Sequence, residues 1–358
     1  MLYMKGLIMP KKFFISMSGS DRLAAGKTNV FFASLAGILL AVIFAAGVLH
    51  AQTPLKKAVF VPQWLPQAQF AGYYMAYETG LYTRHGIDLE ILDSGFKTPS
   101  ARMLEEKKAD FVTMQLSEAI ERRSKGLKLI NIGQVSQRSA LVIIAKKKNG
   151  INSLKDLNGR RLGYWRNDSP GPLQAFLKKN NLSVEIVPIT STVNLFLLDG
   201  IDAIVTMWYN EYYRILGSGI DEEELSVFLF FEHGMNLPED GIYCLEETFS
   251  RDPQMCRDFV IASLEGWASA FAREEQAIEI VLKYMNRAHI TANRPHQRWM
   301  LSRMCDIISP AGMKRPIGEL DESDYNRVAS MLREYKIIET IPDFKSFYMN
   351  KAAGDVKK

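Results

Sequence analysis

From residue 58 onward the chain alternates short β-type runs with helical ones, and this rhythm leaves few folds open. Runs 58–61, 87–92 and 110–113 have strand character, and helices are expected over about 70–79, 98–107 and 116–125. Strand–helix–strand order requires crossovers, which place the strands in a parallel sheet with right-handed connections. A second series repeats the pattern: strand 161–165, helix 171–180, strand 184–188, helix 192–199, strand 202–206 and helix 208–217. Strands 130–135 and 141–145 lead into that second unit, and 228–231 and 241–245 return the chain to the first. From Pro253 the apolar residues recur at helical spacing. A chain of 358 residues exceeds one ordinary core. The expected architecture is therefore α/β, with two lobes, each a mostly parallel sheet flanked by helices, and a hinge between them.

Charge is informative only once the N-terminus is set apart. Residues 1–51 carry Lys5, Lys11, Lys12, Arg22 and Lys27 against Asp21 alone, and the remainder holds 39 basic and 39 acidic residues. The body is neutral, so nothing points to nucleic acid or an anionic surface. Residues 30–49 form an uncharged apolar run behind that basic segment, followed by Leu49, His50, Ala51 and Gln52. This is the grammar of an export signal cut after Ala51. The run is also long enough to remain as a membrane anchor. The expected division is 1–51 leader or anchor, 55–145 plus 235–350 first lobe, 146–234 second lobe, and a frayed tail at 351–358.

Candidate ligand residues fall at strand-to-helix junctions, because parallel α/β sheets bind ligands at the carboxyl ends of their strands. Trp64 follows the first strand, between Pro62 and Pro66, and Tyr73 lies on the helix after it. Gln115 and Ser117 follow 110–113, where a helix N-terminus offers free backbone N–H groups. Trp165 and Asp168 follow 161–165, and Trp208, Tyr209 and Glu211 follow 202–206. Asp240, beside Glu239, lies on the return path between lobes. Each residue has a plainer reading. Tyr73 could simply pack a helix, Glu211 could be a solvated helix residue, Ser117 a helix cap, and Asp240 the cap of a turn. Trp267 and Trp299 sit in helical apolar patterns and read as core. Taken together, aromatics and acids with few cations suit a flat, neutral or weakly basic heterocycle. A sulfonate would want Arg or Lys.

No catalytic, metal or cofactor signature appears. His50, His85, His233, His289 and His296 lack metal-ligand spacing, and there is no nucleophile elbow or phosphate loop. Cys244, Cys256 and Cys305 are an odd set, so at most one disulfide can form. Their plain reading is as small buried side chains.

Several segments carry a family resemblance: QWLPQAQFAGYY (63–74), KKADFVTMQLSEAIERR (107–123), QRSALVIIAKKKNGINSLKDLNGRRLGYW (137–165), LFLLDGIDAIVTMWYNEYY (195–213), LPEDGIYC (237–244), LEGW (264–267) and HQRWML (296–301). In this order they resemble the bacterial thiamine-pyrimidine-precursor binding proteins, periplasmic substrate receptors of ABC importers with a type II binding-protein fold. The resemblance implies a monomeric exported receptor for hydroxymethylpyrimidine or a formylamino relative. It implies an ABC permease and ATPase as partners, no cofactor, and a periplasmic location or one tethered through residues 30–49. The fungal enzymes of the same family offer an alternative, making hydroxymethylpyrimidine phosphate from pyridoxal phosphate and a histidine. Laid over their segment, the cofactor-binding Lys falls on Met114 and the donor His on Glu118, and their cysteine-rich run is matched only by Cys244. A Schiff base needs an amine, so an enzyme is not expected. A membrane-anchored sensory receptor is a further alternative.

Overall fold

The computed structural model describes residues 54–349 except 96, 97, 167, 168 and 191. The expected leader, 1–51, and tail, 351–358, lie outside the described residues.

The chain forms β1 (Lys56–Val61), β2 (Ile87–Ile91), β3 (Phe111–Gln115) and β4 (Leu129–Gln134), then β5 (Leu141–Lys146), β6 (Arg161–Trp165), β7 (Glu185–Ile189), β8 (Ala203–Met207) and β9 (Leu225–Leu229), and finally β10 (Asp240–Leu245). They make two five-stranded sheets, ordered β2-β1-β3-β10-β4 and β7-β6-β8-β5-β9. Each sheet has one reversed strand. β10 runs antiparallel to β3 and β4, and β5 runs antiparallel to β8 and β9. Both reversed strands are the ones that enter a sheet from the other lobe. The two lobes thus share one topology, as a two-lobed binding-protein fold requires.

The first crossing lies between β4 and β5. Strand 141–146 belongs to the second sheet, so the change of lobe comes before residue 141 and not after 145. The sequence reads the two runs as consecutive strands, and nothing local marks that they lie in different sheets. β4, β5 and β10 are buried at every position, which is the mark of strands covered on both faces. The edge strand β7 is largely exposed and tolerates Pro188.

Helices cover the sheets. Those used below are α1 (Ala71–Glu78), α2 (Leu116–Ser124), α3 (Gly171–Lys179), α4 (Glu211–Leu216), α5 (Pro253–Ala272), α6 (Glu274–Arg287), α7 (Arg294–Ile308) and α8 (Glu322–Glu334). The expected helix at 192–199 is a single turn, Asn194–Leu197. α5 starts sharply, with Pro253 in its first turn and the Asp252 carboxylate accepting from the Met255 N–H at 2.9 Å. Its buried face stacks Phe259 on Phe111 at 4.1 Å and on Tyr82 at 5.2 Å.

α1 and α5 cross with almost no gap. A Cβ at Gly266 would come within 2.2 Å of the Gly72 carbonyl oxygen and 2.6 Å of the Ala76 Cβ. A Cβ at Gly72 would fall 2.2 Å from the Trp267 ring. The pair of glycines therefore sets how deeply α1 seats, and α1 carries the chain away from the end of β1.

Gly266→Ala is expected to cost about 1–3 kcal/mol through overpacking of backbone against backbone, read as a lower denaturant midpoint with an unchanged m-value. An unchanged midpoint would show that the two helices separate freely.

Candidate functional site

β1, β3 and the start of β10 end side by side, and the chain chemistry there is amide and carboxylate. Pro62 and Pro66 bracket the exit from β1 and hold residues 63–67 outside regular structure. The Gln63 N–H donates to Thr113 Oγ1 at 2.8 Å. Gln63 Nε2 donates to one Asp240 oxygen, and Gln69 Nε2 donates to the other at 2.8 Å. Asp240 faces Gln115 across the β3–β10 ladder. Leu116, at the start of α2, donates its N–H to the Glu239 carbonyl at 2.9 Å. Gln69 and Asp240 are buried, and Trp64, 37% exposed, stands beside them in sequence.

Glu239 ties the two crossings together. Its carboxylate accepts from Ser139 Oγ at 2.9 Å and from the Ala140 N–H at 3.0 Å. Asn236, on the same return strand, accepts from the Ser139 N–H at 2.9 Å and donates to the Gln137 carbonyl at 3.1 Å. The Asp240 carbonyl accepts from the Val135 and Ser136 N–H groups. Burial pushes the Glu239 carboxyl up to about 8, against the pull of its Ala140 and Ser139 donors. Burial likewise raises Asp240 to about 6, opposed by the two glutamine amides.

The second lobe places aromatic side chains at the ends of two neighbouring strands. Trp165 ends β6, Trp208 follows β8, and β6 and β8 are neighbours in the sheet. Both indoles are half-buried. The Trp208 N–H donates to the Ala140 carbonyl at 2.8 Å, which fixes it to the crossing. Tyr209 is buried among first-lobe residues. α7 reaches across from the first lobe. Trp299 Nε1 donates to the Trp208 carbonyl at 3.3 Å, and His296 stacks on Tyr213 at 5.0 Å. The Arg303 guanidinium lies 4.8 Å from the Trp208 ring and 4.9 Å from Trp299.

Several expectations change in this setting. Tyr73 is a core residue, 4.8 Å from Phe60 and 5.9 Å from Trp267, and does not wall a cleft. Its neighbours on α5 lie almost two hundred residues away, so local pattern could not place it. Glu211 braces its own turn, accepting from the Met207 N–H at 3.0 Å and from Asn210 Nδ2 at 2.8 Å. Trp299, expected in the core, spans the two lobes. Arg303 adds a cation to a wall expected to be without one. Gln115 and Ser117 are half-buried, at the cap and first turn of α2. Asp168 lies outside the described residues. Gln63, Gln69 and Glu239 are the functional candidates missing from the expected set. Among the described residues no group of three or more His, Cys, Asp or Glu is placed to hold a metal, and no helix is long and apolar enough to cross a membrane.

Glu239 makes stability pH-dependent in a definite direction. Its carboxyl titrates near 4.5 unfolded and near 8 folded. The protonated form is favoured by folding, so this stability is complete below 4.5 and is lost as pH rises through about 8. His296 works the opposite way, held down from 6.5 to about 4 by burial, and its effect is finished above 6.5. Between pH 6.5 and about 8 the unfolding midpoint of the wild type is therefore expected to fall. Glu239→Gln should flatten that slope. A wild-type midpoint that rises over this interval would contradict the assignment.

A family model described as NMT1/THI5 like matches residues 67–277. The riboflavin-binding protein RibY of Chloroflexus aurantiacus is 26% identical over 256 residues, covering 69% of this chain and 71% of that protein. The formylaminopyrimidine-binding protein of Halalkalibacterium halodurans is 21% identical, covering 84% of this chain and 93% of its own length. A 4-amino-5-hydroxymethyl-2-methylpyrimidine phosphate synthase of Legionella pneumophila is also 21% identical, covering 85% and 95%. Among solved structures, the periplasmic aliphatic sulphonate binding protein SsuA of Escherichia coli superposes with a TM-score of 0.66 at 16% identity. That match covers 86% of this chain and 96% of SsuA, and it identifies the fold as that of periplasmic binding proteins.

Proposed function

The chain belongs to the NMT1/THI5-like family, and from that premise we propose that it is an exported receptor for a thiamine pyrimidine precursor. The ligand class is hydroxymethylpyrimidine or a formylamino relative, handed to an ABC permease and ATPase. The observation that carries the reading is the Gln63–Asp240–Gln69 cluster beside the half-exposed Trp64. A carboxylate has more acceptor positions than two amides occupy, so Asp240 retains capacity for an exocyclic amine. Its neighbours are neutral, and Trp64 offers a face for the ring. Such a site recognises an amino-substituted heterocycle, and an acid at its centre disfavours a sulfonate.

Binding without chemistry is supported by the place where the family's enzymes keep their cofactor lysine. Met114 occupies it, is fully buried in β3, and packs in the core. Glu118, at the donor-histidine position, pairs with Arg122 at 2.9 Å. Neither residue supplies an amine. Incubation with pyridoxal phosphate and iron should therefore yield no hydroxymethylpyrimidine phosphate. Its appearance with loss of a protein histidine would make the chain an enzyme.

A second reading is favoured by the riboflavin-binding relative. A flavin ring is also flat and nitrogen-rich, and the same indole could stack on it. Calorimetric titration with hydroxymethylpyrimidine, its formylamino relative and riboflavin separates the two. A pyrimidine is expected to bind most tightly. Trp64→Ala should weaken it about tenfold, as a lost stack plus lost buried area. Asp240→Asn should weaken it by a similar factor of about ten or more through the lost charge-assisted hydrogen bond. Preference for riboflavin would transfer the proposal to flavin uptake, and unchanged affinity in both variants would place the site elsewhere.

A further inference from the structure

A second concavity lies at the outer edge of the hinge. β4 is an edge strand of the first sheet, and beyond it runs the segment around Gly318, bridged to Gln134. β9 is an edge strand of the second sheet, and it leads directly to Phe231. Between these edges a cavity of about 500 Å³ is lined by Gln137, Arg138, Phe231, Lys314, Arg315 and Asp321, among others. Of the ten expected ligand residues, the nine that are described are absent from its walls.

The charges in this cavity do not balance. Arg315 is fully committed. It donates to Gln137 Oε1 at 2.6 Å and pairs with Asp321 at 3.1 Å and Asp324 at 3.0 Å. Asp321, the acid on the wall, is thereby used. The Arg138 guanidinium carbon lies over Phe231, 4.4 Å from the ring centroid, and both residues line the cavity. Among the described residues neither Arg138 nor Lys314 is joined to a carboxylate, and Lys314 is exposed. Two cations facing one cavity without counter-ions repel each other, and a bound anion would relieve both.

We propose that this cavity is a second binding site, for a small oxyanion of the phosphate or carboxylate type, clasped between Arg138 and Lys314. The guanidinium edge matches two oxygens of such a group, and the ammonium supplies a point charge from the other side. The walls come from three places: the first lobe at Lys314, the outgoing crossing at Arg138, and the second lobe at Phe231. The width of the site therefore depends on the angle between lobes. An anion held there is linked to cleft occupancy, and the linkage is reciprocal whatever the cleft ligand is.

The test uses inorganic phosphate and, in parallel, malonate, each titrated into the full chain at constant ionic strength. Saturable one-site binding of at least one of them is expected, and the tighter of the two shows which oxyanion the site prefers. Arg138→Gln combined with Lys314→Gln should weaken it about tenfold or more. Trp64→Ala should leave it unchanged, which separates this site from the cleft. Lys314→Gln alone, at an exposed position, serves if the double variant does not fold, and should weaken binding measurably. Absence of saturable binding of either anion, or equal binding by wild type and variants, would overturn the proposal.

Discussion

The structure turns on two adjacent carboxylates placed where the chain passes between lobes. Glu239 and Asp240 are both buried, and a buried carboxylate is costly unless donors surround it. Glu239 meets that requirement with the outgoing crossing, through Ser139 and Ala140. Asp240 meets it with the exit from β1, through Gln63 and Gln69. One dipeptide thus joins the crossing between lobes to the exit from β1. The first set of bonds fixes the crossing segments to each other, and the second holds the loop after β1 against β10.

Rigidity on the first-lobe side follows from packing. The Gly72–Gly266 contact leaves no room for adjustment between α1 and α5, so the loop carrying Gln63 and Trp64 is held from beneath. On the second-lobe side the contacts are of a different kind. Trp208, Trp299, Arg303 and the Tyr213–His296 stack meet across the lobes through ring faces and one hydrogen bond. Trp208 and Trp299 also pack on the hydrophobic clusters, with Tyr209 buried among first-lobe residues. α8 contacts both α2 and α3 and so spans the lobes on a different path.

The local readings fared according to how local their causes were. Strand positions, the proline-bracketed turn after β1 and the start of α5 are set by residues within a few positions, and they stand close to where pattern places them. The expected lobe boundary falls one strand late because β4 and β5 are consecutive strands, both buried at every position, and only the sheet order separates them. Tyr73 was read as a ligand wall because an aromatic on the first helix looks the same whether it faces a cleft or α5. Glu211 looked like a free acid until the turn it braces was visible. Gln63 and Gln69 carried no signal of their own, since an amide in a loop is ordinary until a carboxylate is buried against it.

The sequence by itself determined the α/β class, the two-lobed plan, the absence of a Schiff-base lysine at Met114 and the family to which the chain belongs. The first two follow from periodicity and turn chemistry, the last two from the resemblance of the ordered segments, and none needs a distant partner. Only the tertiary structure decided which polar groups meet. Asp240 lies 171 residues from Gln69 and 177 from Gln63, and Glu239 lies about a hundred from the backbone it holds. Contacts of that separation depend on sheet order and crossing geometry, and the Glu239 carboxyl is raised because the same packing buries it, against the pull of its donors.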